Sequence, residues 1–197
     1  MASHAALPAV GLAIVALLEK ACPRPEFSGA TFSLYHARSF QKPMDEGVSL
    51  YLHRVTASTV RRNLPPPPAP PGWQRRPSLP LDLYYLLTPW SPSPARQHQL
   101  LAWAMRTLED TPTLSAGFLN HYAPGDPEAF RPDESVTVVL EPLSIQDLLN
   151  VWEVNKAQMQ VSATYVARLV QIDSAVREQQ GPPVQTRVAR TGSRDDA

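Results

Sequence analysis

Hydrophobic residues recur along this chain with two spacings, and each spacing predicts a different element. From Leu7 to Leu18 (LPAVGLAIVALL) apolar residues occupy every side, which predicts a buried N-terminal helix ending near Pro23. Phe32 and Leu34 then alternate with Ser33 and Tyr35, and Val48, Leu50 and Leu52 with Ser49, Tyr51 and His53. That period of two predicts half-buried strands over Ala30–His36 and Gly47–Val55, joined by a loop around Lys42, Pro43 and Asp45. In Pro80–Trp90 (PLDLYYLLTPW) apolar groups fall on both faces, as in a central strand covered on both sides.

Ser93 suits an N-cap and Pro94 the first helical position, so a helix follows. It carries QLLAWAMRTLEDTP (Gln99–Pro112), with Leu101, Met105 and Leu108 expected to face the core, and Thr111 and Pro112 stop it. A short apolar piece, Leu114–Leu119, leads into the turn-rich loop Ala123–Glu134. Val136, Val138 and Leu140 share one face of a strand in ESVTVVLEP. Ser144 and Asp147 then have capping-box spacing, with Leu143 and Leu148 placed as a hydrophobic staple, which predicts another helix start. The last strand, Val161–Ile172, carries β-branched or aromatic residues on both faces.

Proline punctuates this pattern once at length. NLPPPPAPPGWQRRPS (Asn63–Ser78) supports neither a helix interior nor a central strand, because proline lacks the N–H that either ladder needs. It reads as a stiff surface excursion of polyproline-II character. Beyond Asp173 the chain turns polar and ends in RTGSRDDA. The resulting fold class is α+β: one domain over residues 1–174, with 63–78 as a loop insertion and 175–197 as an extended or disordered arm. A mixed, mainly antiparallel sheet of about four to five strands packed by about three helices fits this order.

Composition narrows the possible functions. At 197 residues and 43% hydrophobic content the chain can bury one substantial core. Eighteen basic residues balance 18 acidic ones, so no overall field gathers nucleic acid or anionic membrane, and neither is an expected partner. The lone Cys22 forms no internal disulfide, which fits a reducing cytoplasm. The apolar N-terminal stretch has no preceding Lys or Arg and falls short of the ~20 residues that span a bilayer, so neither a signal peptide nor an inserted anchor is expected.

A search for chemistry finds no Gly-rich phosphate loop, HExxH, CxxC or G-x-S-x-G motif, so no metal and no cofactor is expected. Of the five histidines only His36 and His53 could meet, across neighbouring strands, and an enzyme would have to be built on that pair. Arg61, Arg62, Arg75 and Arg76 bracket the proline run with Trp73 among them, forming the chain's one dense basic and aromatic cluster. Arg and Trp are the residues interfaces favour, and a stiff segment loses little entropy on docking, so these residues are candidate protein contacts, with Arg177 and Arg187 of the tail.

Taken together, the N-terminal apolar helix, PLDLYYLLTPW, QLLAWAMRTLEDTP and LEPLSIQDLLNVWEV followed by VSATYVARLVQID resemble a known family. It is the N-terminal domain of cap proteins, or tail terminators, of extracellular contractile injection systems of the antifeeding-prophage and Photorhabdus-virulence-cassette type. The resemblance spans Pro8–Asp173 and rests on D-L-x-Y-L-L-T-P at Asp82–Pro89 and on Leu143, Ser144, Asp147, Leu148 and Trp152. The long proline-rich loop and the tail depart from the family pattern. The resemblance implies a non-enzymatic structural protein: a homohexameric ring on the distal end of an inner tube, contacting the tube protein and the last ring of sheath protein. The rival expectation is an adaptor whose polyproline run binds an SH3-like or WW-like module.

Overall fold

The computed structural model describes residues 4–59 and 66–179. Arg61, Arg62 and Arg187, among the candidate contacts, lie outside the described residues. Helix α1 (Ala6–Ala21) is followed by strand β1 (Thr31–Tyr35), a 3-10 turn at Ala37–Gln41, and the long strand β2 (Gly47–Ala57). The proline excursion ends in a short strand, β3 (Trp73–Arg75), and leads to β4 (Leu79–Trp90). Helix α2 (Pro94–Asp110), β5 (Thr113–Ser115), α3 (Ala116–His121), β6 (Ser135–Leu140) and α4 (Ile145–Trp152) come next. A further 3-10 segment (Glu153–Gln158), β7 (Ala163–Ile172) and β8 (Arg177–Gln179) complete the described chain.

Six strands form one mixed sheet in the order β1-β2-β4-β7-β6-β5, more strands than expected. Only β1 and β2 run parallel; the other neighbours in this sheet are antiparallel. The connection between β1 and β2 turns through the 3-10 segment, which His36 caps by accepting the Ser39 N–H at Nδ1, 3.1 Å away. Gly47 lets β2 begin hard against β1: its φ is +147°, and a Cβ there would lie 1.9 Å from the Thr31 carbonyl oxygen.

The alternation expected of β4 holds on both faces. Leu83, Tyr85 and Leu87 join the main core with α1, α2 and α3, where Ala9, Ala13, Leu100, Ala104 and Leu108 are buried. Leu86 and Trp90 point to the other face and pack with Phe40 and Trp152 in a second, aromatic cluster. Phe40 stands edge-on to Trp152 at 5.3 Å, and the Trp90 indole N–H donates to Ser49 Oγ at 2.8 Å. In α2 the buried stripe is Leu100, Ala104 and Leu108 rather than Leu101, Met105 and Leu108. Leu101 and Met105 flank it, half-buried against the same core. Ser93 takes the N-cap position of α2 but makes no side-chain cap bond; Ser144 does cap α4, accepting the Asp147 N–H at 3.1 Å.

Candidate assembly surface

The residues singled out around the proline run and in the tail come together. The run stops at a turn over Pro70–Trp73, closed by the Trp73 N–H donating to the Pro70 carbonyl at 3.0 Å. Pro71 and Gly72 occupy its centre, and Gly72 has φ +80°, the Pro-Gly pattern of a type II turn. The chain leaves this turn as β3, which pairs antiparallel with β8: Trp73 opposite Gln179, Gln74 opposite Glu178, Arg75 opposite Arg177. The polar tail thus begins as a strand. Four candidate contacts (Trp73, Arg75, Arg76 and Arg177) sit on one two-stranded ribbon, and Arg76 Nε reaches Glu178 at 2.7 Å.

The ribbon continues the β4–β7 pairing beyond the sheet. Leu79 is opposite Ile172, the last ladder step, and the ribbon resumes a few residues further out with the same strand sense. Its base is clamped at Asp173, whose side chain is 2% exposed. The carboxylate accepts from Ser78 Oγ at 2.6 Å and from the Arg131 guanidinium at 3.1 Å. Arg131 also donates to the Gln171 amide oxygen and pairs with Glu134, so the loop before β6 is tied to the root of the ribbon. Burial pushes the Glu134 carboxyl up from its ordinary range, against the pull of Arg131. A buried charge held by this many donors positions the strands more than it stabilises them.

Over the second face of the sheet, beside the later half of β4, lies α4. Its buried anchor is Trp152; Ile145, at 80% exposure, and Leu149 face outward at i, i+4 spacing. Beside it runs a cleft of about 400 Å³ lined by Tyr51, His53, Arg54, Leu143, Asp147, Asn150 and Val151. His53 lies at the bulge of β2, with its ring 6.4 Å from Tyr84. Its buried Nε2 has no hydrogen-bond partner, and burial and the adjacent Arg54 push its pKa down. The pairing of His36 with His53 does not form: β1 ends at Tyr35, and the His36 ring turns into the cap of the 3-10 segment. No group of three or more His, Cys, Asp or Glu that could hold a metal occurs among the described residues. None of the described helices is long and apolar enough to cross a membrane.

Exposed apolar side chains collect at these two places. Of ten such large residues among the described ones, Trp73, Leu79 and Val176 lie at the ribbon, and Leu140, Ile145, Leu149, Met159 and Val161 lie on or beside α4. Sequence reasoning found the ribbon residues through their composition but missed those of α4. Nothing in the sequence separated them from Leu148 and Trp152, because all the apolar residues of α4 fall within one arc of about 160°.

This curled mixed sheet, with helices α1–α3 on one face and α4 closing the other, is the fold of the tube terminators of contractile injection systems. It is similar to the cryo-EM structure of the sheath/tube terminator of PVC, an extracellular contractile injection system, in the extended state. That match has a TM-score of 0.59 at 16% identity and covers 94% of this chain and 64% of that one. It is also similar to the tube-terminating cap of the anti-feeding prophage AFP, with a TM-score of 0.58 at 15% identity, covering 92% of this chain and 60% of that one. The chain therefore spans less than two thirds of the length of either. The chain belongs to the family of the Pvc16 N-terminal domain, whose model matches residues 9–186. No curated protein sequence matches it significantly.

Proposed function

We propose that this chain is a structural cap of a phage-tail-like contractile injection system. Copies assemble as a homohexameric ring on the distal end of the inner tube, end its growth and engage the last ring of sheath. The protein acts without a cofactor, as part of a particle built in the cytoplasm. The observation that carries this reading is the match of nearly the whole described domain to a sheath/tube terminator, together with membership of the Pvc16 N-terminal domain family. The surface supports it: exposed apolar groups concentrate in two separate places, at the ribbon and on α4, as a protein with several neighbours requires. The ribbon and its candidate contacts, Trp73, Arg75, Arg76 and Arg177, form one of those places, and Arg61, Arg62 and Arg187 flank it in sequence.

Electron microscopy of particles from cells lacking this chain tests the proposal. Overlong or ragged tubes with disordered sheath ends are expected, and re-expression of the chain should restore a uniform length. Particles of normal and uniform length in its absence would overturn the capping role.

A further inference from the structure

Within α4 only Trp152 is buried, with Leu148 and Val151 half-buried, whereas in α1 buried residues recur through every turn. The side-chain hydrogen bonds of α4 are local, Ser144 with Asp147 and Gln146 with Asn150. Among the described residues no side-chain hydrogen bond or ion pair joins it to the sheet. The packing beneath it is incomplete as well. The cleft of about 400 Å³ opens on its β2 side, and a second of about 200 Å³, lined by Leu140, Pro142, Leu148 and Ala163 among others, on its β7 side. Trp152 Nε1 and His53 Nε2 are buried there without a hydrogen-bond partner, and an unpaired buried polar atom weakens the closed packing.

The chain is fixed firmly on either side of this helix. Before it, the Glu141 N–H donates to the Thr164 carbonyl at 2.9 Å, and Arg168 pairs with the Glu141 carboxylate at 2.8 Å. After it, the Gln97 amide donates to the Gln160 side-chain oxygen at 2.8 Å, and the Ser162 and Thr88 hydroxyls meet at 3.1 Å. Between these anchors the backbone leaves regular structure twice, at Pro142 ahead of α4 and at Asn155, whose φ of −127° and ψ of 36° break the 3-10 segment.

From this we infer that α4, with the 3-10 segment behind it, is a strap that swings off the sheet as a unit while the rest of the fold stays closed, with Trp152 as its latch. Opening gives up the contacts of Trp152 with Phe40 and Trp90 and those of half-buried Leu148 and Val151. It breaks no ladder of the six-stranded sheet and leaves the main core whole, because no residue of that core belongs to the strap. An element with so few buried apolar contacts opens at a lower free energy than the domain unfolds. What opening uncovers is the second face of the sheet, where Leu86 and Trp90 lie beneath the strap and Phe40. The fold thereby holds an aromatic surface that the closed form hides. Strap opening is a property of the single chain and does not depend on the capping role.

Thiol labelling reads the opening directly. In a Cys22→Ala background one variant carries Leu86→Cys, on the strap-covered face of β4, and a control carries Leu87→Cys, the next residue, in the main core. Both positions are fully buried, so either thiol reacts with an aromatic disulfide reagent only when the structure over it opens. The thiol at position 86 is expected to react at least about 100-fold faster than that at 87. Its rate should also change little in low denaturant, since a local opening exposes little surface. Equal rates that rise together with denaturant would mean that the two faces open only by global unfolding, and would overturn the strap. Hydrogen exchange of the wild-type chain gives a second reading free of substitutions. The amides of Leu148–Trp152 should share one opening step, with protection at least about 100-fold below that of β4 and β7. Equal protection of α4 and β4 would overturn the strap, even with fast labelling at position 86, because the opening would then belong to the Phe40 segment.

Discussion

Asp82 opens the D-L-x-Y-L-L-T-P stretch, and its role is fixed by a residue far along the chain. The register of β4 against β7 slips between Leu81 and Leu83, and on the partner strand Leu169 is forced to φ +63°. A bulge of this kind takes one N–H out of the ladder. Asp82, itself buried, accepts that Leu169 N–H at Oδ1, 3.1 Å away. Asp82→Ala should therefore lower stability by about 1–2 kcal/mol, the cost of a part-buried donor left without its charged acceptor. Asp82→Asn keeps an acceptor oxygen and should retain most of it. Chemical denaturation of the two variants decides: an equal loss in both would mean that the charge, not the acceptor, is needed. This role was not legible in the sequence, because the pairing is non-local and a lone aspartate at a strand's start signals nothing about a bulge 87 residues later. His36 shows the converse, a residue visible as a candidate whose use as a cap, set by the three-residue reach to Ser39, was not foreseen.

At the scale of the element, α4 shows how far pattern carries. Ser144 and Asp147 mark its start correctly, because an N-cap is a local contact that spacing alone determines. Which of its apolar residues face inward does not follow, since Ile145, Leu148, Leu149, Val151 and Trp152 share one arc of about 160° and only part of that arc is buried. Only tertiary contact decides, and it selects Trp152, held between the 3-10 turn and β4 by Phe40 and Trp90. Trp152→Ala should cost roughly 3–5 kcal/mol, as for a large aromatic truncated in a core, while Ile145→Asp should leave the melting temperature close to that of the wild type. A comparable loss from Ile145→Asp would show that the helix's outer face is packed within its own chain. Elsewhere the prolines of β4 lie near its ends, at Pro80 and Pro89, where few ladder donors are lost, so the strand reading survived them. The strands β3, β5 and β8, three residues each, are too short to show any period.

For the whole molecule, the feature that net charge and local pattern both conceal is the ribbon. Strands β3 and β8 lie about a hundred residues apart in sequence and meet only in the fold, so no stretch of the chain announces their pairing. What holds its base is equally non-local: the Asp173 carboxylate, 2% exposed, accepts from Ser78 Oγ and from the Arg131 guanidinium, which also reaches Gln171. Removing one donor from a buried carboxylate leaves it short of a charged partner. Arg131→Ala should therefore lower stability by about 1–3 kcal/mol, and Arg131→Lys, which keeps the charge but cannot make the forked contact, should recover only part of that. Chemical denaturation of the two variants checks this, and full recovery by lysine would mean that charge alone, without the geometry of the guanidinium, holds the root of the ribbon.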